Sequence, residues 1–340
     1  MQAWSSRYDF MLWFIMAKKR HHFLPKAYLK PFCDEEGKLH VYRKDKPEQE
    51  IRLSPDNTGF HKYYYSQATP SGRRDDDTLE DLFSEYESEW PGIVLKFRAR
   101  ENVNRHLDTI CAFIGLQRAR VPAARDACER ILAENVKATI RRMRDQGDLP
   151  PLPFGLGDLF DHVDVAIDPH QSIHAMSYIM KGFDELLAQI GIEVVFNDTD
   201  MPFVTSDNPV IWFDPSTPEG EMRPYGIDLN GPIVLMFPVA PDLLIYGDTS
   251  KQKQFAQHGL IYSRPSRHNA VREMNALICR FAYESVYADR SGFSDLVREH
   301  ADLSPVIRTE TIPAPKGQFL YHQFVWGART HKPKWNRPDK

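Results

Sequence analysis

Apolar and polar positions alternate through Leu39-His40-Val41-Tyr42-Arg43, the period-two mark of a half-buried strand. Asn57-Thr58-Gly59 then signals a turn before Lys62-Tyr63-Tyr64-Tyr65, which is again β-like. From Asp77 the period changes. Leu79, Leu82, Phe83, Tyr86 and Trp90 fall at helical spacings, and Pro91 predicts the end of that helix. A second helix is expected through Asn104–Arg120 and a third from about Ala123 to Arg144. A fourth covers about Gln171–Ile190, closed by Gly191. Five short apolar runs follow: Ile192–Phe196, Pro202–Thr205, Val210–Phe213, Ile233–Phe237 and Leu243–Tyr246. They lie too close together for helical crossovers, which predicts hairpins. A helix at about Ser266–Phe281 and a strand at Ser285–Ala288 end the series.

This order predicts an α+β fold: a largely antiparallel β-sheet with a helical layer inserted between the N-terminal and C-terminal β regions. The 340 residues admit one large domain, and no internal repeat divides them. The expected organisation is an extension over 1–17, a single α+β domain over 18–295, and a C-terminal segment over 296–340 with a loose basic tail. Leu149–Leu156, rich in proline, is a candidate seam.

Composition narrows the class. At 42% hydrophobic residues the chain can bury a core, which excludes a disordered protein. No window approaches the ~20 consecutive apolar residues of a membrane span. Forty-three basic against 47 acidic residues leave no global positive field for a polyanion. Four scattered cysteines, Cys33, Cys111, Cys128 and Cys279, carry no pairing signature and point to a reducing cytoplasm. The apolar run Phe10–Met16 precedes Lys18-Lys19-Arg20, the reverse of a secretory signal, and Met16 opens a plausible start, so residues 1–15 are read as an upstream extension.

Three blocks carry a resemblance. The first is His21-His22-Phe23-Leu24-Pro25-Lys26-Ala27-Tyr28-Leu29-Lys30-Pro31-Phe32. The second is Pro202-Phe203-Val204-Thr205-Ser206-Asp207-Asn208-Pro209-Val210. The third holds Phe237-Pro238 with Pro241, then Asn269 and Asn275, leading to Val286-Tyr287-Ala288. Together they resemble the bacterial family catalogued as domain of unknown function 4238, over roughly residues 18–290. The resemblance implies boundaries and candidate residues but no established reaction.

Candidate chemistry gathers at the same blocks. His21 and His22 alternate in an extended segment, so at most one enters a given site; imidazole suits proton transfer and metal ligation near neutral pH. The alternative is a histidine bonded to backbone. Asp207 stands at a strand end, where it would orient a histidine or hold a metal. Ser-Asp-Asn-Pro is equally strong turn chemistry. Arg118 lies beside the apolar face of its helix, where it would bind a phosphate or carboxylate or form a buried pair. Lys26, Tyr28, Asn208, Asn269 and Asn275 complete the candidate substrate-binding set. The paired Glu85 and Glu89 read as a solvated face.

Phosphate-loop, dinucleotide, Cys-x-x-Cys, zincin and nucleophile-elbow motifs are absent from the sequence. Two functions remain. One is a nuclease-like phosphodiester hydrolase, with His21 or His22, Asp207 and Arg118 as the catalytic set, nucleic acid as partner and Mg²⁺ or another divalent ion as a possible cofactor. Local basic stretches at Lys18–Arg20 and Lys137–Arg144 would serve it. The other is a non-enzymatic interaction module in which the His-His and Ser-Asp-Asn-Pro motifs are structural, with Tyr63–Tyr65 and Tyr321–Trp326 as a partner surface.

Overall fold

The computed structural model describes residues 20–69, 74–150, 164–218, 220–226, 231–264, 269–314 and 317–329. The expected extension, most of the proline-rich seam and the basic tail lie outside them. Strands β1 (Arg20–His22), β2 (Leu39–Arg43), β3 (Lys46–Leu53), β4 (Phe60–Lys62), β5 (Gln67–Ala68) and β6 (Arg74–Asp75) come first, with the short helix α1 (Lys26–Leu29) after β1. The helical layer is α2 (Thr78–Arg98), α3 (Leu107–Arg120), α4 (Pro122–Gln146) and α5 (Pro169–Leu187). Then come β7 (Gly191–Phe196), β8 (Thr205–Ser206), β9 (Ile211–Phe213), β10 (Val234–Ala240), β11 (Leu243–Asp248), α6 (Gln252–His258), β12 (Ile261–Ser263), α7 (Ala270–Phe281), β13 (Ser285–Ala288), α8 (Ser294–Glu299), β14 (Ser304–Ala314) and β15 (Gly317–Gly327). The fold is α+β with mostly antiparallel sheets.

Among the described residues a five-stranded sheet runs β12-β7-β11-β10-β9, and a four-stranded one runs β3-β2-β13-β8. Only β12 against β7 is parallel in the first sheet. Strand β10 is buried along its whole length. Its residues alternate between two cores: Leu235, Phe237 and Val239 pack with the helical layer, while Val234 and Met236 face a second cluster built on Phe203, Phe213 and Phe281. This two-sided burial is why the strand reads as a continuous apolar run rather than an alternating one.

Helix α2 does not stop at Pro91, which lies inside it. The apolar stripe continues through Trp90, Ile93, Val94 and Phe97, all buried, and that packing carries the helix past the missing N–H. The Tyr63–Tyr65 run is a turn rather than a strand, with Tyr63 at φ 56.

The N-terminal block is tied into this frame by backbone and by one phenol. Phe23 and Leu24 N–H groups donate to the Gly59 carbonyl at 2.8 and 3.1 Å. Gly59 takes φ +65, the left-handed region that favours glycine. Tyr28 is fully buried and stacked on Phe237, with ring centroids 5.2 Å apart. Its hydroxyl donates to the Pro238 carbonyl at 2.9 Å and accepts from Thr205 Oγ1 at 2.6 Å. Tyr28→Phe is expected to cost about 1–3 kcal/mol in urea unfolding, because a buried carbonyl and hydroxyl lose their partner without any change in shape.

Candidate functional site

The two histidines sit at the β1–β4 corner, where His21 pairs with His61 and His22 with Phe60. The strand pleat sends them to opposite sides. His21 is fully buried, stacked on Tyr65 at 5.7 Å, and its Nδ1 accepts the Tyr65 backbone N–H at 2.8 Å. That bond leaves the ring proton on Nε2. His22 leans on Phe60 at 5.4 Å, and its buried Nε2 has no hydrogen-bond partner. Burial first, then the charge of Lys26, pushes the His22 pKa down to about 4. The ring is therefore neutral at pH 7. Its folded pKa lies below the unfolded 6.5, so this group's share of stability is present above pH 6.5 and is lost as pH falls toward 4. Proton NMR should show an imidazole midpoint near 4 that disappears in His22→Gln; a midpoint above 6 for His22 would contradict this environment.

Asp207, one residue past β8, is 3% exposed. Its Oδ1 accepts the Tyr283 N–H at 2.8 Å, and its Oδ2 accepts those of Glu284 and Ser285 at 2.7 and 3.1 Å. The carboxylate thus shapes the chain entering β13. Asn275 does the same for the segment before β8, donating to the Pro202 carbonyl at 2.8 Å and accepting the Val204 N–H at 3.0 Å. Asn269 is exposed at the start of α7 without a side-chain cap. Lys26 is exposed and forms an ion pair with Asp56.

Arg118 and Asn208 are the two candidates that the structure draws together, and Tyr225 joins them. The last turns of α3 are buried from Phe113 to Arg120, so the Arg118 guanidinium enters the protein at 4% exposure. Its Cζ lies 4.2 Å from the Tyr225 ring centroid, 5.2 Å from Trp212 and 5.9 Å from Phe324. Its Nε and Nη1 are buried with no hydrogen-bond partner. Asn208 donates to the Tyr225 hydroxyl at 2.6 Å and to the Phe281 carbonyl at 2.8 Å, while its own carbonyl Oδ1 is buried and unbonded. The adjacent Gln117, also fully buried, has neither amide atom bonded.

Two further observations mark this place. Tyr225 takes φ 57, a conformation that costs a non-glycine residue about 1 kcal/mol or more. It is held there by an N–H bond to the Trp212 carbonyl at 3.0 Å and by its contacts with Arg118 and Asn208. Arg125, on the first turns of α4, is buried with its Cζ 4.0 Å from the Tyr64 ring. The Cys128 thiol lies in the field of both Arg118 and Arg125, although burial outweighs them and raises its pKa. Strain at Tyr225 and the unbonded polar atoms of Arg118, Asn208 and Gln117 thus coincide beside the last turns of α3. Such coincidences gather at functional sites.

Sequence reasoning did not single out Tyr225, Trp212 or Arg125. Pro224-Tyr225-Gly226 is a turn signal, but nothing in it distinguishes a strained tyrosine from an ordinary one. Phe324 belongs to the aromatic segment read above as a partner surface; here its ring faces inward.

Among the described residues no group of three His, Cys, Asp or Glu side chains is arranged to hold a metal ion. At Asp207 both oxygens already accept backbone N–H groups, which is a poor setting for a cation. No helix among the described residues is long and apolar enough to cross a membrane.

Comparison with known families matches residues 20–292 to the model described as protein of unknown function DUF4238. The chain belongs to the DUF4238 family. No curated protein and no solved structure matches it. The DUF4238 span holds both halves of the site beside α3, Arg118 and Asn208, and stops before Phe324.

Proposed function

We propose that this DUF4238 protein binds a phosphate-bearing anion at Arg118, with Asn208 and Tyr225 completing the site. The observation that carries this reading is the Arg118 guanidinium, buried with Nε and Nη1 unbonded. A buried charge without a counter-charge costs several kcal/mol, and an anion is the group that offsets it. Aromatic faces alone supply about 0.5–2 kcal/mol. Arg125 is bonded to Ser172 Oγ and the Tyr64 carbonyl and adds positive field at the neighbouring Cys128 rather than a free donor. The two unbonded guanidinium atoms of Arg118 suit the several oxygens of a phosphate. Asn208 Oδ1, an acceptor, suits the proton of a hydrogen phosphate or a ligand hydroxyl.

The test is thermal unfolding of the full chain with inorganic phosphate, pyrophosphate and mononucleotides. A ligand at 100 times its Kd adds about 2.7 kcal/mol, a rise of several degrees. We expect that rise in wild type and not in Arg118→Gln. No shift with any phosphate compound sinks the reading.

A second reading, phosphodiester hydrolysis of nucleic acid, is favoured by His22. A neutral imidazole with an unbonded Nε2 can take a proton. That ring lies in the field of Lys26 and Arg120. Arg120 is buried and bonded to Glu87 and the Phe23 carbonyl, so the basic side chain serving it would be the exposed Lys26. The half-exposed end of α4 around Lys137–Arg144, with Arg142 exposed, would supply the phosphate-backbone contacts. DNA and RNA should then be cleaved by wild type and not by His22→Gln. Cleavage by both, or by neither across a panel of divalent ions, removes this reading. The four free cysteines suit a reducing compartment, and we place the protein in the bacterial cytoplasm.

A further inference from the structure

Strands β14 and β15 hydrogen-bond to each other along eleven pairs, and among the described residues no third strand continues their sheet. The hairpin is fastened elsewhere, at its root and along one face. At the root, Ser304 Oγ donates to the Ala282 carbonyl at 3.0 Å, and the Lys44 ammonium donates to Ser304 Oγ at 3.2 Å and to the Leu303 carbonyl. Along the face, the register sets Phe324 opposite Ile307 and Trp326 opposite Pro305. These two rings point the same way. Phe324 meets Tyr225 edge-on at 4.9 Å and covers Arg118. Trp326 meets Phe281 at 4.8 Å, and its N–H donates to the Met222 carbonyl at 2.6 Å. Arg223 adds a bond to Gln323 at 2.7 Å.

The far half of the hairpin leaves the body, with Ile312, Phe319 and Tyr321 exposed. A cleft of about 290 Å³ follows the seam between α4, at Arg130 and Glu134, and the near half of the hairpin, and Trp326 is part of its wall. The cover over Arg118 is therefore a two-stranded element held along its near half only, by its root, the rings of Phe324 and Trp326 with Arg280 stacked on Trp326, two side-chain hydrogen bonds, the Arg329–Glu284 ion pair and packing of β14 on α4, with the cleft beside it.

We propose that the β14–β15 hairpin is a hinged cover on the Arg118 site, that Phe324 and Trp326 are its latch, and that the anion enters along the α4 seam when the latch lifts. This rests on the anion-binding reading for its purpose, but the motion itself does not. Elements whose far half lies free of the body and whose attachment is confined to one end open locally without global unfolding, and covers of this kind move on the microsecond-to-millisecond scale.

The first test needs no ligand. In native-state hydrogen exchange, amides of β14 and β15 should exchange together, about 100-fold faster than those of β10 and β11. Exchange as slow as that of β10 overturns the hinge. The second test is stopped-flow association of pyrophosphate with the full chain. Phe324→Ala should raise the association rate about tenfold, and pyrophosphate should slow exchange of the hairpin in wild type. Association at the wild-type rate in both Phe324→Ala and Trp326→Ala overturns the latch. A hairpin that opens as expected in a protein that binds no phosphate compound refutes the anion reading and the entry route, and leaves the hinge standing.

Discussion

Arg118→Met will make the protein more stable and deprive it of its anion. Methionine fills much of the same space beside Tyr225 and Trp212 and has no charge to desolvate. Replacing buried ionic groups by well-packed apolar ones is neutral or stabilising by about 1–4 kcal/mol. The melting temperature of the ligand-free variant should rise by a few degrees. The stabilisation that phosphate or pyrophosphate gives to wild type should vanish. A structural arginine behaves in the opposite way: its loss lowers the melting temperature and no anion effect exists to be lost. The signs of the two shifts therefore separate function from scaffold.

Asp207→Ala will have the largest cost to stability among the substitutions considered. It strands the N–H groups of Tyr283, Glu284 and Ser285 at the entry to β13. At about 1–3 kcal/mol for each buried group, and less where water reaches it, the loss should be about 3 kcal/mol or more. The cost carries a pH signature. Burial, then the nearby Glu284 charge, raises the Asp207 pKa from 3.8 to about 7, against the pull of its three N–H bonds. The folded chain thus holds a proton that the unfolded chain has released between these two values. Stability from this group falls as pH rises from about 4 to about 7. Urea unfolding of wild type and Asp207→Ala should differ more at pH 5 than at pH 7.5. A difference that grows with pH would contradict the raised pKa.

Much of this architecture was legible from pattern alone. The short apolar runs after Gly191 became β7, β9, β10 and β11, because tight spacing leaves no room for crossovers. The helical layer was read from its 3.6-residue period. Pro91 predicts a stop that the structure does not show, since the buried stripe of α2 on both sides of it outweighs one missing N–H. The β14–β15 hairpin went unread, because Ile312, Phe319 and Tyr321 are exposed and only Phe324 and Trp326 carry a core signal. At the site, residue types pointed to Arg118 and Asn208, while the strain at Tyr225 is a property of the fold that no local pattern announces. The structure gives Asp207, Asn275 and Tyr28 extensive bonds to backbone, contacts between distant segments that a one-dimensional reading cannot supply.

The DUF4238 match ends at residue 292, yet the rings that close over Arg118, Tyr225 and Phe281 come from residues 324 and 326. An expression fragment cut at the family boundary would leave those aromatic faces bare to solvent and strip Lys44 of its bonds to Leu303 and Ser304. Such a fragment should self-associate, and its poor solubility would be a product of the truncation, not a trait of the family. The unit to clone extends at least through Gly327.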